Sequence, residues 1–280
     1  MPATEFCDLH THTLCSDGLQ TPTQVVEAAL ERGLSALAIT DHDSLQGLDE
    51  ARRRAAGTGL EIVPGVELST AAGDLEIHVL GYFFDEGNAE FLSQLRRFRD
   101  VRRERVRAIL ERLGSLGMPL EEEEVFRCAR GEAVGRPHVA EAMVARGYAL
   151  HLDDAFRRFL GTHRPAWVPK PVLTPPDAVR LVGSAGGVTS VAHPATIGDD
   201  RIFDELAAAG LHAIECIHPK HDAATEARYR EMADRLGLLV TGGSDSHGRR
   251  PGGIPIGYGN VPASVVEELR AAATSARAHG

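Results

Sequence analysis

The sequence predicts an α/β fold, a β/α barrel of about seven strands with a helical insertion, and three observations predict it. Short apolar, β-branched runs alternate with helical patterns toward both ends of the chain, which implies a mostly parallel sheet. Histidines and carboxylates fall at or just beyond the ends of those runs. Between about Asn88 and Val168 the alternation gives way to an arginine-rich helical stretch. A doubly wound sheet gathers only some strand ends into its switch-point crevice, whereas a barrel brings its C-terminal strand ends to one mouth. The barrel is therefore the better reading.

The elements follow in chain order. Phe6–His10 reads as a short buried strand. The next helix has Thr21 as N-cap and Pro22 in its first turn, and it ends at Gly33, where helix-start and helix-stop residues belong. A strand at Ala36–Thr40, a helix over about Leu45–Ala56, and strands at Leu60–Glu67 and Leu75–Leu80 come next. After the insertion the order is strand Val188–Ala192, helix near Ile202–Ala209, strand Ala213–Ile217, helix Ala223–Leu236, strand Leu238–Thr241 and a closing helix near Pro262–Ala276. Within the insertion, Leu92, Leu95, Phe98, Val101, Val106, Ile109 and Leu113 approximate a helical apolar stripe. The Pro-rich "RPAWVPKPVLTPP" reads as a rigid return path. This divides the chain into a barrel of residues 1–87 and 169–280 and an insertion of residues 88–168.

Composition narrows the class. With 280 residues, 43% hydrophobic and 25% charged, the chain is long enough to bury a full core. A net charge of −10 argues against extended nucleic-acid binding, which depends on neutralising phosphates. Cys7, Cys15, Cys128 and Cys216 form no C-x-x-C pair and no even framework, which suits a reducing cytoplasm. The N-terminal residues lack a secretory pattern, and apolar runs stay short of a membrane span. Neither a G-x-S-x-G elbow nor a P-loop occurs. The Gly-rich "GGSDSHG" and "RPGGIPIG" read as turns that close the mouth of the barrel.

The strand-end residues carry the chemistry. In "DLHTHTLCSDG" (Asp8–Gly18), period-two alternation sends His10 and His12 to one side. An isolated H-x-H is equally compatible with a strand that frays into a polar loop. The wider set is His10, His12, Asp17, His42, Glu67, His78, His193, Asp245 and His247, a mixture of imidazoles and carboxylates suited to Zn²⁺, Mn²⁺ or Fe²⁺. So many donors exceed the needs of one ion and suit two or three. Any one of these histidines alone also fits an ordinary core or surface position, but positions that track strand ends along the whole chain do not.

These motifs, "DLHTHTLCSDG", "TDHD" at Thr40–Asp43, "PGVELS" at Pro64–Ser69, "IHVLGY" at Ile77–Tyr82, "AHP" at Ala192–Pro194 and "GGSDSHG" at Gly242–Gly248, resemble in order those of the polymerase-and-histidinol-phosphatase (PHP) superfamily. The resemblance implies a distorted (β/α)7 TIM-like barrel with a trinuclear metal site. Carried over, it places His10, His12, Glu67 and Asp245 on one ion. Glu67 would bridge to a second ion held by His78 and His193, and Asp17, His42 and His247 would hold the third. Clustered divalent ions activate water and neutralise phosphate oxygens, so phosphoester hydrolysis by metal-bound hydroxide is expected, with His12, Glu67, Asp245 and His247 around it. The expected ions are two to three per chain, manganese first, with zinc, iron or magnesium as alternatives.

Within that superfamily, "RRERVRAIL", "GRPHVAEAMVARGY" and "AFRRFLGTHRPAWVPK" resemble the branch of nucleotide and short-RNA phosphoesterases. That branch includes enzymes that remove the 3′-phosphate of nucleoside 3′,5′-bisphosphates and relatives that trim 5′-phosphorylated RNA. A second substrate phosphate needs a cationic receptor away from the metals, for which the bidentate arginine fork is suited. Arg102, Arg103, Arg136, His138 and Lys170 are the candidates, Arg136 because it opens a helix where backbone N–H groups favour an anion. The competing reading is that arginines in a helix with Glu104 and Glu111 are solvated or weakly paired. No obligate protein partner and no membrane association are expected. The alternative functions are a histidinol-phosphate phosphatase and a metal-dependent binding module without turnover.

Overall fold

A computed structural model describes residues 6–169, 173–248 and 253–279. The strands are β1 (Phe6–Asp8), β2 (Ala36–Ile39), β3 (Glu61–Ala72), β4 (Leu75–Tyr82), β5 (Val188–Val191), β6 (Ala213–Ile217), β7 (Leu239–Gly242) and β8 (Val261–Pro262). They form one sheet in the order β7-β6-β5-β4-β3-β2-β1-β8. The sheet curls until its ends meet. Leu9 N–H donates to the Gly242 carbonyl at 3.3 Å, His12 N–H to Ser246 at 2.9 Å, and Thr11 bridges Ser246 in parallel. The result is the distorted barrel that the sequence predicts, with an eighth, two-residue strand antiparallel to β1.

The sheet is less parallel than expected. β1–β2–β3 and β5–β6–β7 are parallel runs, but β4 is antiparallel to both β3 and β5. The cause is local. No helix separates β3 from β4; they turn at Gly73, whose φ of 60° is cheap for glycine, and a short turn can join only antiparallel strands. β3 also runs to Ala72, beyond the predicted end at Glu67.

Helices cover the outside of the barrel. α1 (Pro22–Arg32) forms as predicted, with a Thr21–Gln24 capping box and Gly33 in the left-handed region at φ 72°. α2 (Gly47–Ala55) packs with it over Leu37 and Ile39 of β2. The helical block comprises α3 (Ala89–Ser115), α4 (Glu122–Cys128), α5 (Arg136–Ala145) and α6 (Leu152–Ala155), followed by a π-turn at Phe156–Leu160. α3 serves two cores. Phe91, Leu95 and Phe98 pack on Val66, Leu68 and Val79 of the barrel, whereas Val106, Ile109 and Leu113 join Val125, Val139, Met143 and Leu160 in a separate apolar cluster.

The Pro-rich return path contains a helix that the sequence reading missed, α7 (Pro175–Ser184). The Thr174 hydroxyl accepts the Asp177 N–H at 3.3 Å, and Pro175 and Pro176 occupy the first turn, where their missing N–H groups cost nothing. The paired prolines mark a helix start. α8 (Ile202–Ala208), α9 (Ala223–Leu236) and α10 (Ser264–His279) complete the cover.

One close approach ties closure to the site. A Cβ at Gly243 would stand 2.4 Å from His10 Cβ and 2.5 Å from His10 N, so the closing segment after β7 can touch β1 only without a side chain. Gly243→Ala is therefore expected to destabilise the protein by about 1–3 kcal/mol, the usual cost of overpacking, and to weaken metal uptake by displacing His10. Urea unfolding and metal titration check both; an unchanged midpoint would show that the seam tolerates a methyl group.

Candidate metal centre and active site

The chain continues from β1 into an extended run, and His10 and His12 meet with their Nε2 atoms 3.2 Å apart. Glu67, midway along β3, lies between imidazoles from four other segments. Its Oε2 is 3.1 Å from His12 Nε2, 3.1 Å from His42 Nδ1 and 3.4 Å from His10 Nε2. Its Oε1 is 2.8 Å from His78 Nδ1 and 3.1 Å from His193 Nε2. Asp17 lies 3.4 Å from His247 Nε2, 3.7 Å from His12 Nδ1 and 3.7 Å from His42 Nε2. Asp245 Oδ1 lies 3.4 Å from His12 Nε2 and 3.5 Å from His10 Nε2.

Every residue in the predicted donor set therefore reaches one mouth. Three overlapping groups have ligand atoms within 4.8 Å of one another: His12, Asp17, His42 and His247; His10, His12 and Glu67; and His42, Glu67 and His78. His12, His42 and Glu67 each belong to two of them. His78 arrives differently from the prediction: it pairs with Ser69 across the hairpin and lies in the first half of β4, because an antiparallel strand presents its beginning to the mouth.

Electrostatics fit this donor set. Burial pushes the Glu67 carboxyl upward, but His42, His78 and His10 hold it well below the usual range. Burial likewise opposes ionisation of Asp17 and Asp245, and the histidines again win, led by His247 for Asp17 and His10 for Asp245. Burial pulls His42 down to about 3, leaving it neutral with a lone pair available. Burial opposes the charge on His12 too, yet hydrogen bonds to Asp245 and Glu67 raise it to about 10; Glu215, Glu67 and Asp245 do the same for His10. His12 Nδ1 and His42 Nδ1 are buried with no hydrogen-bond partner. Orphaned ring nitrogens beside ionised carboxylates are what divalent ions with mixed N/O preference require.

A cleft of about 650 Å³ opens over these donors. Arg102, Arg105 and Arg136 line it too, together with Glu76 and Phe156, while Lys220 lines it beside the donor Asp245. Arg105 Nη2 donates to Glu76 Oε1 at 2.7 Å, and Arg136 pairs with the other Glu76 oxygen. Arg102 donates from Nε to Asp43 Oδ2 and from Nη2 to Ser69 Oγ, both at 2.6 Å. Two candidates are corrected. Arg103 points away, half-exposed and paired with Asp100 at 3.3 Å, because α3 turns its 102 and 105 positions, not 103, toward the cleft. His138 is buried behind the wall, its Nδ1 accepting the Gly135 N–H at 3.0 Å at the start of α5. Lys170 lies outside the described residues.

Other site residues escaped the sequence reading. Arg105 was detectable as the i+3 neighbour of Arg102. Lys220, with Nζ 3.6 Å from Asp245 Oδ2, is one of only two lysines among 30 cationic side chains, a compositional signal. Glu215, fully buried in the apolar strand "AIECI", was conspicuous as a charge where the pattern wants none.

Known proteins match this architecture. The PHP domain family model matches residues 8–124. The chain is 32% identical over 257 residues to a 3′,5′-nucleoside bisphosphate phosphatase of Chromobacterium violaceum, covering 90% of each chain. It is 31% identical over 255 residues to a 5′-3′ exoribonuclease of Haemophilus influenzae, covering 87% of this chain and 90% of the relative. A solved Bifidobacterium adolescentis structure, described as a candidate metal-dependent phosphoesterase, superposes with a TM-score of 0.88 at 31% identity over 97% of both chains. Fold, donors and relatives define a hydrolase, a metal-dependent phosphoesterase. The chain belongs to the PHP family.

Metal loading should release protons, because imidazole ligands must be deprotonated. His10 and His12 are raised, His12 to about 10, so both are protonated in the metal-free protein at neutral pH. Apparent metal affinity is therefore expected to fall on acidification and to rise with pH toward about 10, the His12 value. Calorimetric titration in buffers of different ionisation enthalpy measures the release; binding without it would show that these histidines do not take the metal.

Proposed function

We propose that the protein removes the 3′-phosphate of nucleoside 3′,5′-bisphosphates, with short 5′-phosphorylated RNA ends as a related substrate. One observation carries this reading: a single cleft has metal donors on its floor and guanidinium groups on its wall. The 32% identity to the bisphosphate phosphatase and the 31% identity to the exoribonuclease support it. Two or three ions would be held by His10, His12, Asp17, His42, Glu67, His78, His193, Asp245 and His247, with manganese expected first. Divalent ions bound there supply an activated water and neutralise charge on the reacting phosphate.

The chain's own residues do the rest. Burial opposes ionisation of Glu76, but Arg136 and Arg105 hold it down to about 2, so two guanidiniums face one carboxylate and a positive charge remains on that wall. That surplus suits a second phosphate remote from the metals. Phe156, stacked 5.7 Å from Arg136, offers a ring beside the same wall for a base. In this reading residues 88–168 form the recognition part, because Arg102, Arg105, Arg136 and Phe156 all come from it. Four cysteines without a disulfide pattern suit a cytoplasmic enzyme, and no described helix is long and apolar enough to cross a membrane.

Elemental analysis after Mn²⁺ loading should find two to three ions per chain; one or fewer would count against the cluster. Arg136→Ala should lower kcat/KM by about 1.5–3 kcal/mol for a 3′,5′-bisphosphate, the value of charge-assisted hydrogen bonds, while barely affecting the matching 3′-monophosphate. An equal loss on both substrates would assign Arg136 to architecture. Phosphate release from a panel that adds 5′-phosphorylated RNA and histidinol phosphate ranks the substrates, and preference for histidinol phosphate would overturn the proposal.

A further inference from the structure

Glu215 is a carboxylate with no access to solvent, in a strand whose five residues are all buried. Burial on this scale is costly unless both oxygens are engaged. They are, by the segments that follow two different strands, β1 and β5. Oε1 is 2.9 Å from His10 Nδ1, and Oε2 accepts the backbone N–H of His193 at 2.6 Å. His193 needs that hold, since its φ of 31° and ψ of 57° put a non-glycine residue in the left-handed region directly before Pro194.

We infer that Glu215 is a positioning residue that sets two metal-site histidines at once, fixing the His10 proton on Nδ1 and the His193 backbone in its strained conformation. An ionised carboxylate can only accept, so its contact with His10 requires Nδ1–H. Nε2, 3.4 Å from Glu67 Oε2 and 3.5 Å from Asp245 Oδ1, is then the nitrogen left to give up its proton and take an ion. Outer partners of this kind orient imidazole ligands and increase their basicity. The inference rests on the reading of His10 and His193 as metal ligands.

Glu215→Gln tests it with almost no change of shape. The His193 N–H can only donate, so it takes the amide oxygen, and the amide NH₂ faces His10 Nδ1. Nδ1 must then accept, which drives the proton to Nε2, the nitrogen that faces the metal donors. Mn²⁺ titration of the chelator-stripped chain should show a loss of affinity of roughly 10–100-fold, with the circular dichroism spectrum retained. Unchanged affinity would overturn the inference.

If the variant fails to fold, the wild type decides. In a long-range ¹H–¹⁵N spectrum of the Zn²⁺-loaded chain, the His10 ring, assigned by its absence from His10→Asn, should carry its proton on Nδ1. A proton on Nε2 would overturn the assignment. Failure of the wild type to bind metal would overturn the metal reading itself, and that outcome is distinguishable from wild-type binding that Glu215→Gln leaves intact.

Discussion

Glu67 is a carboxylate at 1% exposure with five imidazoles from four segments around it, and the rest of the molecule is arranged to make that tolerable. A buried carboxylate left alone takes up a proton. Here the surrounding histidines reverse the preference, but imidazoles gathered this closely repel one another once charged. The conflict is resolved by unequal protonation: His42 is neutral, while His10 and His12 are raised. Positive ions among these donors would remove the need for the protons, which is why the cluster reads as a metal centre rather than as a stabilising network.

A second set of buried carboxylates holds the first in place without touching the cleft floor. Asp8 accepts N–H groups from His10 at 3.2 Å, Ser244 at 2.9 Å and Gly257 at 2.8 Å, joining the ends of the barrel. Asp41 takes the Thr13 N–H at 2.8 Å, the Thr13 hydroxyl at 2.7 Å and the Ser16 hydroxyl at 2.6 Å, and so shapes the loop that delivers Asp17. Asp8 Oδ1 thereby holds the segments of His10 and Asp245, and Asp41 holds the loop of Asp17. The division of labour is physical: inner carboxylates face imidazoles, outer ones face backbone and hydroxyl donors.

The donor set was legible in the sequence because strands have a strict period and barrels collect their ends, so His10, His12, His193 and Asp245 could be placed by position alone. His78 was found for a partly wrong reason, since its strand runs the other way; direction is set by the turn at Gly73, and a period-two pattern looks the same in both directions. The paired prolines that open α7 read equally as a stiff linker, because such pairs start helices as well as stiffen linkers. Arg103 and Arg102 are adjacent in sequence yet lie on different faces of α3, and only packing decides which of them sees the cleft. Glu215 was missed because its partners, His10 and His193, lie beyond the ends of other strands and nothing local announces them.

Arg102 shows why the wall and the floor cannot be treated as independent parts. It leaves α3 in the helical block and donates to Asp43 at 2.6 Å and Ser69 at 2.6 Å, and Arg99 of the same helix donates to the Asp43 carbonyl at 2.9 Å. Asp43 follows His42 directly, sits at a positive φ of 51° and accepts the Ser69 N–H at 3.2 Å. Withdrawing a cation from a buried carboxylate typically costs about 3–5 kcal/mol, so α3 cannot shift without releasing the turn that aims His42. The same helix carries Arg105 to Glu76 in β4 at 2.7 Å, two residues before His78. A helix that lines the cleft thus bears on two of the histidines that surround Glu67, and substitutions along α3 act on donor geometry and on the cleft wall together.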